Sequence, residues 1–213
     1  MKLYCLSGLG VDHRAFRNLQ IEGVELVHIP WIGPVKKESL SEYAIRLFQS
    51  ASLPDDYNLI GVSFGGMIAQ EFEKIRKPRV LFLVSTISNS SELSGLFKFG
   101  GTLKLYEVIP GIFLKQANWL LYFLFGLKSK EDKKLFKEIL GDSDTCFFRW
   151  AIGAIVQWKN ASRSNGISLH GTKDKILPAR GKLEFSIQGG GHFMIVTHGE
   201  ELSQIIDSVL KKH

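Results

Sequence analysis

Ser63 stands in the run Gly61-Val62-Ser63-Phe64-Gly65, between an apolar stretch that ends at Val62 and the helical pattern "MIAQEFEKI". A hydroxyl is a weak nucleophile. It attacks a carbonyl only when a base takes its proton and donors stabilise the oxyanion that forms. The sequence offers candidates for both tasks. Asp174 lies in "SLHGTKDKILP", and His192 follows three glycines in "GGGHF". A histidine set against Ser63 takes the hydroxyl proton, and a carboxylate behind it fixes the tautomer and stabilises the imidazolium. Near the start of the chain, "LSGLGVDHRAF" is a glycine-rich loop able to turn a backbone N–H toward the same oxygen. By position that donor is Leu9, with the N–H of Phe64 as the second.

These groups need a frame that brings them together. Leu3–Leu6, Gly23–Pro30, Tyr57–Val62 and Arg79–Thr86 read as short apolar strands. Between the second and third lies "KESLSEYAIRLFQSA", with apolar residues three and four apart and Ser39 as an N-cap candidate. A helix from about Gly66 to Ile75 separates the third strand from the fourth. Alternation resumes with strands in 166–174 and 182–192 and a terminal helix. Apolar strands separated by helices imply a parallel sheet covered on both faces. Ser63, Asp174 and His192 then each lie just past the carboxyl end of a different strand, the edge where open parallel sheets build sites.

The oxyanion loop, "GVSFGG", "HGTKDKILP" and "GGGH", in that order, resemble the α/β-hydrolase superfamily over nearly the whole chain. The resemblance implies an α/β fold with a mostly parallel sheet of about six strands flanked by helices. It also implies hydrolysis at an acyl or similar carbonyl through a serine acyl-enzyme, without a cofactor. A carboxylesterase acting on small or medium apolar acyl esters is the leading expectation. A thioesterase, an acyltransferase, a C–C bond hydrolase and a non-catalytic ligand-binding member are the alternatives, since fold does not choose among them. Two features depart from the family pattern. The first strand corresponds to the family's third, and Ser7 stands where many members carry histidine.

From Ser88 to Asn160 the strand pattern stops, and helical periodicity rich in Leu, Phe and Trp takes over. We read 88–160 as a helical lid inserted after the fourth strand of a single domain, 1–213. Most of its aromatics, among them Phe97, Phe99, Tyr106, Phe113, Trp119, Phe125, Phe148 and Trp158, are expected to pack the lid on the sheet. A minority is expected to line an apolar pocket, with Phe123 chosen as the residue that sets acyl length. "GIFLKQANWLLYFLFGL", Gly111–Leu127, is interrupted by Lys115, Gln116 and Asn118, and reads as a soluble helix with a broad apolar face.

Other chemistries fit less well. The net charge is +6, but lysines alternate with acids as in "KSKEDKKLFKE", the pattern of a solvated helix face rather than a nucleic-acid surface. Cys5 and Cys146 have no metal-ligand spacing, and Gly8-x-Gly10 lacks the third glycine of a dinucleotide loop. No metal, cofactor, nucleic acid or stable membrane insertion is expected, and the cysteine usage suits the cytoplasm. His13 is expected to anchor the oxyanion loop, and His170 to be structural.

Overall fold

The computed structural model describes residues 1–93, 117–161, 164–180 and 183–213. In chain order the elements are β1 (Lys2–Leu6), β2 (Glu25–His28), α1 (Leu40–Ala51), β3 (Asn58–Val62), α2 (Phe64–Ile75) and β4 (Val80–Val84). Then come α3 (Trp119–Phe125), α4 (Lys130–Asp142), α5 (Thr145–Gln157), β5 (Ile167–Gly171), β6 (Phe185–Ile187), α6 (Met194–Thr197) and α7 (Gly199–Leu210). The six strands form one parallel sheet in the order β2-β1-β3-β4-β5-β6.

The sheet is two-sided because its central strands are apolar on both faces. Every residue of β3 and β4 is buried. Leu3, Cys5, Ile60, Val62, Phe82 and Val84 pack on one side with Leu135 and Phe136 of α4 and Met194, Leu202 and Ile206 of α6 and α7. The residues between them, Leu6, Leu59, Leu81 and Leu83, pack on the other side with α1, α2 and α5. This is the two-residue period of a strand read out as two cores.

Helix starts follow local chemistry. Ser39 caps α1 in a reciprocal capping box with Glu42. Asn118 caps α3 through its side chain to the N–H of Leu121, and Gly126 ends that helix in the left-handed conformation. The helix expected over Gly111–Leu127 is therefore only seven residues long where described, because Asn118 starts it and Gly126 stops it; 111–116 lie outside the described residues. Among the described residues no helix is long and apolar enough to cross a membrane. The expected 88–160 insertion spans α3–α5, and its aromatics Phe97, Phe99, Tyr106 and Phe113 lie outside the described residues. Its two ends are tied together. The Asn160 amide donates to the Ser88 carbonyl and to Gln70 Oε1, and the Asn160 carbonyl accepts from the N–H of Ser90.

Candidate active site

The chain runs from β1 outward to β2, then returns to place β3 on the other side of β1. The carboxyl ends of β1 and β3 thus flank a topological switch point, where a crevice opens in sheets of this kind. The loop after β1 carries Gly8 and Leu9, and the turn after β3 carries Ser63.

Ser63 has φ 54° and ψ −116°, a backbone conformation costly for a side-chain-bearing residue. Several bonds hold it there. Its N–H donates to the Val84 carbonyl at 2.9 Å, and its own carbonyl accepts from the Gly66 N–H at 2.9 Å. The turn closes only because Gly65 is bare: a Cβ there would lie 2.3 Å from the carbonyl oxygens of Leu6 and Ser7. α2 begins at Phe64, two residues earlier than the sequence pattern suggested, since the glycines serve close packing rather than a longer turn.

Asp174 and His192 arrive from the far side of the sheet. The loops after β5 and β6 touch through backbone, with the Lys173 N–H on the Gly190 carbonyl at 2.8 Å. Gly171 packs so closely that a Cβ would lie 2.3 Å from that carbonyl. Both residues are buried, at 6% and 4% exposure. His192 Nε2 lies 2.9 Å from Ser63 Oγ, and His192 Nδ1 lies 2.8 Å from Asp174 Oδ2. Asp174 Oδ1 accepts the N–H groups of Ile176 and Leu177, each at 2.9 Å. Burial alone would raise the Asp174 pKa. The donors from His170, His192 and the Leu177 backbone outweigh it and hold the carboxyl well below its usual range. Asp174 is therefore an anion, and it directs the Nδ1 proton of His192 inward, leaving Nε2 free to face Ser63.

Leu9 and Phe64 lie at the same cavity as Ser63 and His192. Phe64 is the first residue of α2, where an N–H has no intrahelical partner. The loop after β1 is braced without a histidine at position 7. The Ser7 hydroxyl donates to the Val11 carbonyl at 2.6 Å, and His28 Nε2 lies 3.3 Å from that hydroxyl. Burial, then neighbouring His13, lowers the His28 pKa, which suits a neutral ring giving its Nε2 proton to Ser7. This support has no sign in residue spacing, since His28 and Ser7 lie on separate elements that meet only in the fold.

The cavity holds about 200 Å³ and is lined by Leu9, Met67, Phe125, Phe148, Ile152 and Ile155 among others, nearly all apolar. Phe123 is not among them. It is 56% exposed, with the Lys175 ammonium 3.1 Å above its ring. The aromatic of α3 that reaches the site is Phe125, edge-on to the His192 ring at 5.3 Å. Cys5 is buried in β1 and burial raises its thiol pKa, so it is no nucleophile.

No family model matches the sequence, and no curated protein is significantly similar to it. Solved structures are similar in three dimensions. A thermophilic esterase from Thermogutta terrifontis superposes with a TM-score of 0.77 at 15% identity, covering 100% of this chain and 90% of its own. An esterase from Exiguobacterium antarcticum gives 0.75 at 17%, covering 99% and 92%. An alpha/beta hydrolase family protein from Desulfitobacterium hafniense gives 0.68 at 17%, covering 98% and 95%. At such identities the likeness speaks for architecture alone: the chain has the α/β-hydrolase fold.

Proposed function

We propose that the protein is a serine hydrolase that cleaves carboxylic esters with small or medium apolar acyl groups. The observation that carries this reading is the unbroken hydrogen-bond line Ser63–His192–Asp174 at the wall of an apolar cavity. His192 Nε2 takes the Ser63 proton as Oγ bonds to the acyl carbon, and the resulting oxyanion is held by the N–H groups of Leu9 and Phe64. Collapse breaks the ester C–O bond, and His192 returns the proton to the leaving alcohol. Water, deprotonated by His192, then releases the acid from Ser63. Asp174 stays ionised throughout and stabilises the imidazolium. The apolar lining favours uncharged acyl chains, and the esterases among the similar structures support the reaction class. A strained serine is costly to keep without a use, which favours a working enzyme over a ligand-binding member.

A fluorophosphonate probe tests the nucleophile. Stoichiometric labelling at Ser63, absent in Ser63→Ala, is expected. Nitrophenyl esters of graded chain length then test the substrate class. A protein that neither labels nor hydrolyses any of them is not this enzyme.

A further inference from the structure

His170 is the next-to-last residue of β5, with 3% exposure, and the reaction just described makes no use of it. Its Nε2 lies 2.6 Å from the Leu177 carbonyl and 3.3 Å from Asp174 Oδ2. A carbonyl can only accept, so Nε2 carries a proton. That N–H therefore spans the acid loop, from the end of the strand to Leu177, and also borders the carboxylate oxygen that receives His192. The two oxygens of Asp174 are supplied differently. Oδ1 has two backbone donors, whereas Oδ2 has two imidazoles, His192 at 2.8 Å and His170 at 3.3 Å.

We propose that His170 is a positioning residue for the acid: its Nε2–H pins the acid loop and shares Asp174 Oδ2, restraining how tightly that oxygen can hold a protonated His192. The proposal rests on the serine-hydrolase reading of the site. The physical basis is competition at one atom. A second N–H donor on Oδ2 draws off part of its negative charge, so less remains to stabilise an imidazolium. A carboxylate that holds the imidazolium too well keeps the base protonated, and unable to accept from Ser63, at higher pH.

The surroundings leave few other groups to set this balance. From β3, α2 and the turn between them, Val62, Ser63, Phe64 and Met67 line the cavity, and Ser63 alone of these has a polar side chain. From α3 and α5 come Phe125, Phe148, Ile152 and Ile155, none of them ionisable. On the acid loop itself Lys173 and Lys175 are exposed, and the Lys175 ammonium sits over the Phe123 ring. Loss of His170 would not free Asp174, because the two N–H bonds to Oδ1 remain. The expected consequence is a retuned base rather than a lost one.

The test is the pH dependence of fluorophosphonate labelling at Ser63, which needs no known substrate. His170→Leu removes the donor, and His170→Gln places an amide nitrogen near the position of Nε2. With His170→Leu the acid limb of the labelling rate is expected to move to higher pH by about one unit. With His170→Gln it is expected to return to within a few tenths of the parental position. Should His170→Leu not fold, His170→Asn replaces it, since its amide is too short to reach Oδ2 from the same Cβ. An acid limb that stays in place or moves to lower pH in the donor-less variant overturns the proposal, as does a His170→Gln profile matching that variant. If the parental protein does not label Ser63 at all, the hydrolase reading fails and this one with it. Labelling with an unmoved limb sinks only the role of His170.

Discussion

The Thr86 hydroxyl donates to the Ser63 carbonyl at 2.7 Å, joining the loop after β4 to the turn that holds Ser63. That carbonyl belongs to a residue in a strained conformation, so the bond helps hold a geometry the backbone would otherwise leave. Thr86→Val keeps the shape and deletes the donor. The expected cost is about 1 kcal/mol in urea unfolding, with a parallel loss of ester turnover. A variant with parental stability would mean that the hydroxyl contributes nothing to the turn.

Ser63 itself allows strain to be separated from chemistry. Ser63→Ala and Ser63→Gly both remove the hydroxyl and should lower turnover by on the order of 10³ or more. They should differ in stability, because glycine adopts φ 54° without strain whereas alanine bears its cost. Ser63→Gly is expected to be more stable than Ser63→Ala by about 1 kcal/mol. Equal urea midpoints would show that the turn stores little strain.

Asp174 gives a pH signature. Its folded-state pKa lies below the ordinary 3.8, so its ionised form stabilises the fold above that value. The stabilisation fades as pH falls from there toward the folded-state pKa. The stability gap between the parental protein and Asp174→Asn should be widest near neutral pH and should shrink below about pH 4. Chemical denaturation at several pH values between 3 and 7 measures it. A gap that does not change over that range argues against a paired, ionised Asp174.

Phe148 rather than Phe123 should govern acyl length. The Phe148 ring lines the cavity and packs against Gly10, where a Cβ would lie 2.8 Å from it. Phe148→Ala is expected to move the preference toward longer chains, by roughly tenfold per added methylene. Phe123→Ala should leave the profile from acetate to octanoate esters unchanged. The reverse pattern would place the acyl chain outside the cavity described.

Why some of this could be read from the chain and some could not is visible residue by residue. Ser63, Asp174 and His192 each follow a short apolar strand and sit among glycines, so sequence marks them as strand-end residues, and the parallel topology gathers them. The six strands are legible for the same reason: β4 is apolar throughout, β3 is apolar after Asn58, and both are bounded by turns. Phe123 was misplaced because Trp119–Phe125 is apolar at every position, so periodicity offers no polar side from which to deduce the buried one. His170 reads as structural, and His28 carries no signal at all, because their partners, Asp174 Oδ2 and the Ser7 hydroxyl, are met only through side-chain direction and tertiary approach. Neither is coded in spacing.

The end of α3 is joined to the loop that carries His192. The Phe193 N–H donates to the Phe125 carbonyl at 3.1 Å, and a Cβ on Gly126 would lie 2.9 Å from Gly191 Cα. The roof of the cavity and the loop that carries His192 are thus one mechanical piece at this point. Lifting α3 to admit a larger guest would have to break that bond and disturb His192 in the same movement. Widening the entrance and keeping His192 in register are therefore opposed demands on this side. A variant selected for bulkier guests should gain its room from α5, where Ile152 and Ile155 face the cavity from a helix with no such bond to the histidine loop among those described.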